Sequence, residues 1–103
     1  MVGLMEPKEL FKEAAKLLHK DRQAIYGDAE ENYSRIGLIW TGLTGHYFSS
    51  VDVALMLSAL KLYRANINPD HVDSFVDAAA YIAIAAQASS SSSSSSSSTN
   101  EAL

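Results

Sequence analysis

Cysteine is absent from the 103 residues, proline occurs twice and glycine five times. Without cysteine the chain has neither a disulfide framework nor a thiolate metal site, which fits a reducing cytoplasm. Cations are the minority charge, 8 Lys+Arg against 12 Asp+Glu for a net of -4. Proteins that track nucleic-acid phosphate need a clear cationic excess, so no nucleic-acid partner is expected. Nothing reaches the roughly 18 consecutive apolar residues of a membrane span, and the first residues carry charge where a signal segment would be apolar. The expectation is a soluble, cytoplasmic protein with no membrane partner. What the chain does have is apolar residues, 48% of the total. Residues 89–103, ten serines and then Thr-Asn-Glu-Ala-Leu, hold almost none of them. The length allows one domain, expected over residues 1–88, with residues 89–103 as a disordered Ser-rich tail.

No stretch alternates as a strand would, and no internal repeat is visible. The apolar residues recur instead at three and four residue spacing, which predicts four helices. The first runs from about residue 7 to 20, with Pro7 suited to a first helical position and Leu10, Phe11, Ala14, Leu17 and Leu18 on one face. Lys8, Lys12, Lys16 and Lys20 line the other, as a solvated face or a cationic rim for phosphate. Asp28 and Glu31 have the spacing of a capping box and open a second helix over about 29–43, with Tyr33, Ile36, Trp40 and Leu43 inward and Gly42 or Gly45 to stop it. Ser49 and Asp52 repeat that spacing before a third helix, about 51–65, with Val53, Met56, Leu57 and Leu60 inward. Asn68-Pro69 closes it. The fourth, about 70–88, is apolar on every side beyond Asp77, and such a helix must be enclosed. Three short helices can barely surround it, so Ala78, Ala79, Ala83 and Ala86 are expected against another chain or a very close helix, and a homodimer or higher homo-oligomer is expected.

Two constellations carry chemistry. Asp70, Asp73, Asp77 and Tyr81 fall within about 80° of one another on the fourth helix, taking 100° per residue. Asp70 and Asp73 complement a helix start. Asp77 lies two turns in and needs a partner, because an unpaired buried carboxylate is costly. Lys61 and Arg64 of the third helix are the candidates. They either form a buried ion pair with Asp77, or join it in holding a phosphate and its Mg²⁺, with Asp73 and Asp77 on the metal. The second constellation is Arg22, Tyr26, Gly27, Asp28, Glu31, Asn32 and Arg35. Capping explains Asp28 and Glu31, and an i,i+4 pair explains Glu31 with Arg35. Arg22, Tyr26 and Asn32 supply a guanidinium, a ring and a carboxamide, which suit a base and phosphate pocket. His19, His46 and His71 are too scattered for a metal site, and His71 suits a hydrogen bond at a helix start.

The ordered motifs Asp21-Arg22-x3-Tyr26-Gly27-Asp28-x3-Asn32-Tyr33-x-Arg35-Ile36-x3-Trp40, Asp52-Val53-Ala54-Leu55-Met56, Lys61-x2-Arg64 and Asn68-Pro69-Asp70-His71-x-Asp73-Ser74-x2-Asp77-x3-Tyr81 resemble a family of small phage proteins. The resemblance covers roughly residues 20–85 and implies a phage or prophage origin, hence the cytoplasm of an infected host. More remotely, the last two helices are similar to the all-α MazG-like and dUTPase-like nucleotide pyrophosphohydrolases, which carry E-x-x-E on one helix and E-x-x-D on the next to bind Mg²⁺. Asp77 matches the aspartate of the second motif, and Ser74 stands where its glutamate would be. Lys61 and Arg64 stand where the first acidic pair would be, with reversed charge. A different alignment uses Glu31, with Ser34 replacing the second acid.

The resulting expectation is an all-α, compact bundle of four helices, MazG-like, completed by oligomerisation. Its function would be to bind a nucleotide or a host protein and interfere with host metabolism, without the full metal cluster. The alternative is a Mg²⁺-dependent nucleoside triphosphate pyrophosphohydrolase. The phosphate-binding candidates are Arg22, Tyr26, Asn32, Arg35, Lys61 and Arg64; the metal candidates are Asp73, Asp77 and Glu31, with Mg²⁺ as the cofactor.

Overall fold

The computed structural model describes residues 5–18 and 28–93. Among them are four helices and no strand: α1 Pro7–Leu17, α2 Ala29–Thr44, α3 Ser50–Ile67 and α4 Val72–Ser93. Each boundary has a local cause. Pro7 opens α1, which ends at Leu17 rather than near residue 20. Asp28 accepts a hydrogen bond from the Glu31 N–H at 3.1 Å. The Glu31 carboxylate does not reach back to complete the box; it accepts instead from Arg35 at 3.0 Å. Gly45, at φ 81°, ends α2 in the left-handed conformation that glycine adopts without steric cost, and its N–H caps the Thr41 carbonyl. Gly42, the other expected stop, lies inside the helix.

α3 begins with a complete capping box: the Asp52 N–H donates to Ser49 Oγ at 3.1 Å and the Ser49 N–H to Asp52 Oδ2 at 2.9 Å. α4 begins at Val72, two residues later than expected, which leaves Asp70 in the connecting turn. His71 fills its helix-start role through Nδ1, 2.9 Å from Ser74 Oγ. At its far end α4 runs on through Ser93, so residues 89–93, expected in the tail, are helical. Serine costs only about 0.5 kcal/mol per residue in a helix already formed, and no Gly or Pro intervenes. Residues 94–103 lie outside those described.

α4 is the central element. α3 packs along it, α1 packs on another side, and α2 packs chiefly on α3. Among the described residues the buried hydrophobic ones are all Ala or Val, including Val53, Ala54 and Ala65 of α3 and Val76, Ala78, Ala80, Ala85 and Ala88 of α4. Such small side chains let helix axes approach closely. The buried Ser58 Oγ donates across the contact to the Ala78 carbonyl at 3.0 Å. On the α1 side, Ala14, Val76 and Ala80 form a cluster covered by Met5, Leu10, Leu17, Val72 and Ala79.

This arrangement corrects the expected core. Leu43, Met56 and Leu60, expected inward, are exposed, because the inner faces are filled by smaller residues. Of the alanines expected against a second copy or a very close helix, Ala78 is covered by α3 of its own chain and Ala79 packs on the α1 side, while Ala83 and Ala86 are exposed.

Candidate functional site

The α3/α4 hairpin turns at Asn68-Pro69, and Lys61 and Asp77 stand eight residues to either side of Pro69. That symmetry brings Lys61 Nζ to 3.0 Å from Asp77 Oδ2. Of the two cations that could have paired with Asp77, the structure selects Lys61. The pair is only partly desolvated, with 21% of the Lys61 and 29% of the Asp77 side chain exposed. An ammonium has three N–H donors, and one serves Asp77, so Lys61 keeps donors for water or for an anion.

The pair lies at the wall of a pocket of about 250 Å³ where all four helices contribute. Leu17 and Leu18 come from the end of α1, Tyr33 from α2, Lys61 from α3, and Asp77, Ala80, Tyr81 and Ile84 from α4. The Tyr33 and Tyr81 rings meet with centroids 6.3 Å apart and planes tilted by 43°. The volume falls just below the roughly 300–1,000 Å³ of pockets that bury a drug-sized ligand. Chemically the site offers two aromatic faces, one cation and one carboxylate around an apolar floor.

The other expected site residues are distributed as follows. Arg64 turns away from Asp77 and lines a separate open groove of about 390 Å³ with Tyr63, Ile67, Asn68, His71 and Ser74. Arg35 is exposed and paired with Glu31. Asn32 donates its backbone N–H to the Asp28 carbonyl at 3.0 Å, and neither it nor Arg35 lines the pocket. Asp73 is exposed in the first turn of α4. Glu31, Asp73 and Asp77 do not gather, and among the described residues no three His, Cys, Asp or Glu side chains form a metal-holding group. Arg22 and Tyr26 lie outside the described residues. Tyr33 is the residue that sequence reasoning missed, having been placed in an apolar stripe. Its hydroxyl, unusual on a stripe otherwise of Ile, Trp and Leu, was the available signal.

A family model described as a domain of unknown function, DUF6378, matches residues 9–89. The Gene 55 protein of Mycobacterium phage D29 is 34% identical over 74 residues, covering 72% of this chain and 49% of that protein. The Gene 55 protein of Mycobacterium phage L5 is 38% identical over 72 residues, covering 69% of this chain and 46% of that protein. The chain thus spans about half the length of these curated relatives. No solved structure matches it.

Proposed function

The chain belongs to the DUF6378 family of small phage proteins, and from that premise we propose that it binds a nucleotide in the four-helix pocket and acts on host metabolism by binding rather than by hydrolysis. The observation that carries this reading is the convergence of Tyr33, Tyr81 and Lys61 on one pocket. A ring face suits a base, and a partly exposed ammonium suits a phosphate. In this reading the host cytoplasm is where the protein meets its ligand, and the α3/α4 hairpin, with Asp77 aimed at the preceding helix, is the part that supports a MazG-like arrangement.

The hydrolytic alternative needs carboxylates free to hold Mg²⁺. Asp77 is engaged by Lys61 and Glu31 by Arg35. A metal would have to displace both cations and draw Asp73 inward, which favours the binding reading. If Mg²⁺ does take part, it enters most economically on the phosphates of the nucleotide, with few protein ligands.

A panel of nucleoside mono-, di- and triphosphates, each with and without Mg²⁺, tests this by thermal unfolding and pyrophosphate release. A nucleotide present at 100 times its Kd should stabilise the fold by about 2.7 kcal/mol. Lys61→Gln and Tyr81→Ala should each reduce that response, with no pyrophosphate released by the wild type. No stabilisation by any nucleotide would overturn the reading, and Mg²⁺-dependent release abolished by Asp77→Asn would establish the enzyme instead.

A further inference from the structure

Of the polar groups that line the four-helix pocket, the Asp77 carboxylate is the one that neither a base on the rings nor a phosphate on Lys61 accounts for. Pairing with Lys61 occupies its Oδ2, at 3.0 Å. Among the described residues nothing donates to Oδ1, and none of their polar side-chain atoms is buried without a partner, so Oδ1 is open to water. A carboxylate has about four lone-pair sites and no hydrogen to give, so what it takes from a ligand is an O–H or an N–H. We infer that Asp77 accepts the hydroxyl groups of a ribose, so that the pocket selects ribonucleotides over 2′-deoxyribonucleotides. The inference rests on the nucleotide reading of this pocket and adds the class of sugar.

The order of the groups matches the order of a nucleotide. Asp77 and Tyr81 are four residues apart on α4, neighbours one turn apart on a single face. Across the hairpin the same carboxylate touches Lys61 of α3. Asp77 therefore stands next to both the ring and the ammonium, as the sugar joins both the base and the phosphate. The rings narrow the pose further. Their centroids are 6.3 Å apart and their planes tilted by 43°, whereas a base held between two parallel rings needs about 7 Å, two contacts of about 3.5 Å. A base rests on one ring rather than between the two, and beside Tyr81 its sugar meets Asp77.

Charge points the same way. The ionic groups of the pocket lining are one ammonium and one carboxylate, so the pair offers a phosphate no net positive charge, and a second anion against Asp77 would be repelled. Neutral hydroxyls are attracted instead, through charge-assisted hydrogen bonds of about twice the ordinary strength. With one lone-pair site given to Lys61, the carboxylate has places for both hydroxyls of a ribose, of which 2′-deoxyribose lacks one. A sealed site built for a hydroxyl rejects the analogue without it by roughly 10⁴-fold, because its own polar group is stranded. Here 29% of the Asp77 side chain is exposed. Water can replace the missing hydroxyl, and the expected preference is about tenfold.

The test titrates the full chain by calorimetry with adenosine, guanosine, cytidine and uridine 5′-mono- and triphosphates, each beside its 2′-deoxy form. For the bases that bind, the ribonucleotide should have a Kd about tenfold lower. Asp77→Asn should bring the two sugars to within about threefold, chiefly by weakening the ribonucleotide, because an amide oxygen carries no charge. Lys61→Gln should weaken both sugars together. Circular dichroism at the titration temperature shows that each variant is folded, and the wild-type ratio is a measure that needs no variant. Equal Kd values for the two sugars overturn the inference and leave the nucleotide reading standing. So does a preference that survives in folded Asp77→Asn, or one that follows the amino group of the base in both sugar series. Binding of none of the probes overturns the inference and the nucleotide reading together.

Discussion

The two sides of α3 reverse the usual order of a helix in a folded protein. Toward α4 it presents Ala54, Ser58 and Ala65, all buried; away from α4 it presents Met56, Leu60, Tyr63 and Ile67, all substantially exposed. Size rather than hydrophobicity separates the sides. The inner residues are those that let two helices approach closely enough for a serine hydroxyl to reach a backbone carbonyl across the contact. The outer residues are large and apolar, and among the described residues nothing buries them. The hairpin is thus specified by steric economy on one side and left open on the other.

If size is what defines the inner side, enlarging it should do the most damage. Ala54 is fully buried, and Ala54→Leu should force α3 off α4 at a cost of about 3 kcal/mol. Urea unfolding at fixed protein concentration checks this, and a cost below about 1 kcal/mol would mean that the close approach is adjustable. The same rule extends to α2. A methyl group on Gly37 would sit 2.5 Å from the Phe48 carbonyl oxygen, against a segment held by the Thr41 hydroxyl, which donates to the Gly37 carbonyl at 2.7 Å and accepts from the Phe48 N–H at 3.0 Å. Gly37→Ala should therefore destabilise by about 2 kcal/mol, even after the usual gain of about 1 kcal/mol in helix propensity. A stabilised variant would show that the α2–α3 connection moves freely.

How much of this was legible in the sequence follows from the same contrast. The four helices were legible, because capping at Asp28 and Ser49, the stop at Gly45 and the break at Pro69 are local events written in a few adjacent residues. The partner of Asp77 was narrowed to two cations, because the hairpin turn fixes which residues can face one another. The inward stripe of α3 was not legible. A helix apolar on nearly every side has no distinct moment, so periodicity could not say that Ala54 and Ser58 would be inside and Met56 and Leu60 outside; only the axis-to-axis distance decides that. Tyr33 was hidden for a related reason. It lies on the apolar stripe of α2, and its meeting with Tyr81 depends on how α2 settles across α3 and α4.

Lys61 and Asp77 stand at the border between the two sides and test how firmly the border is drawn. Asp77→Asn leaves the ammonium without its carboxylate, but part of the Lys61 side chain is already in contact with water. The expected loss is about 1 kcal/mol, between the negligible value of a surface pair and the roughly 3 kcal/mol or more of breaking a fully buried one. Urea unfolding of this variant beside Asp70→Asn, whose carboxylate lies in the exposed turn, isolates the contribution. A loss near 3 kcal/mol would make the pair a structural clamp and weaken the nucleotide reading of the pocket.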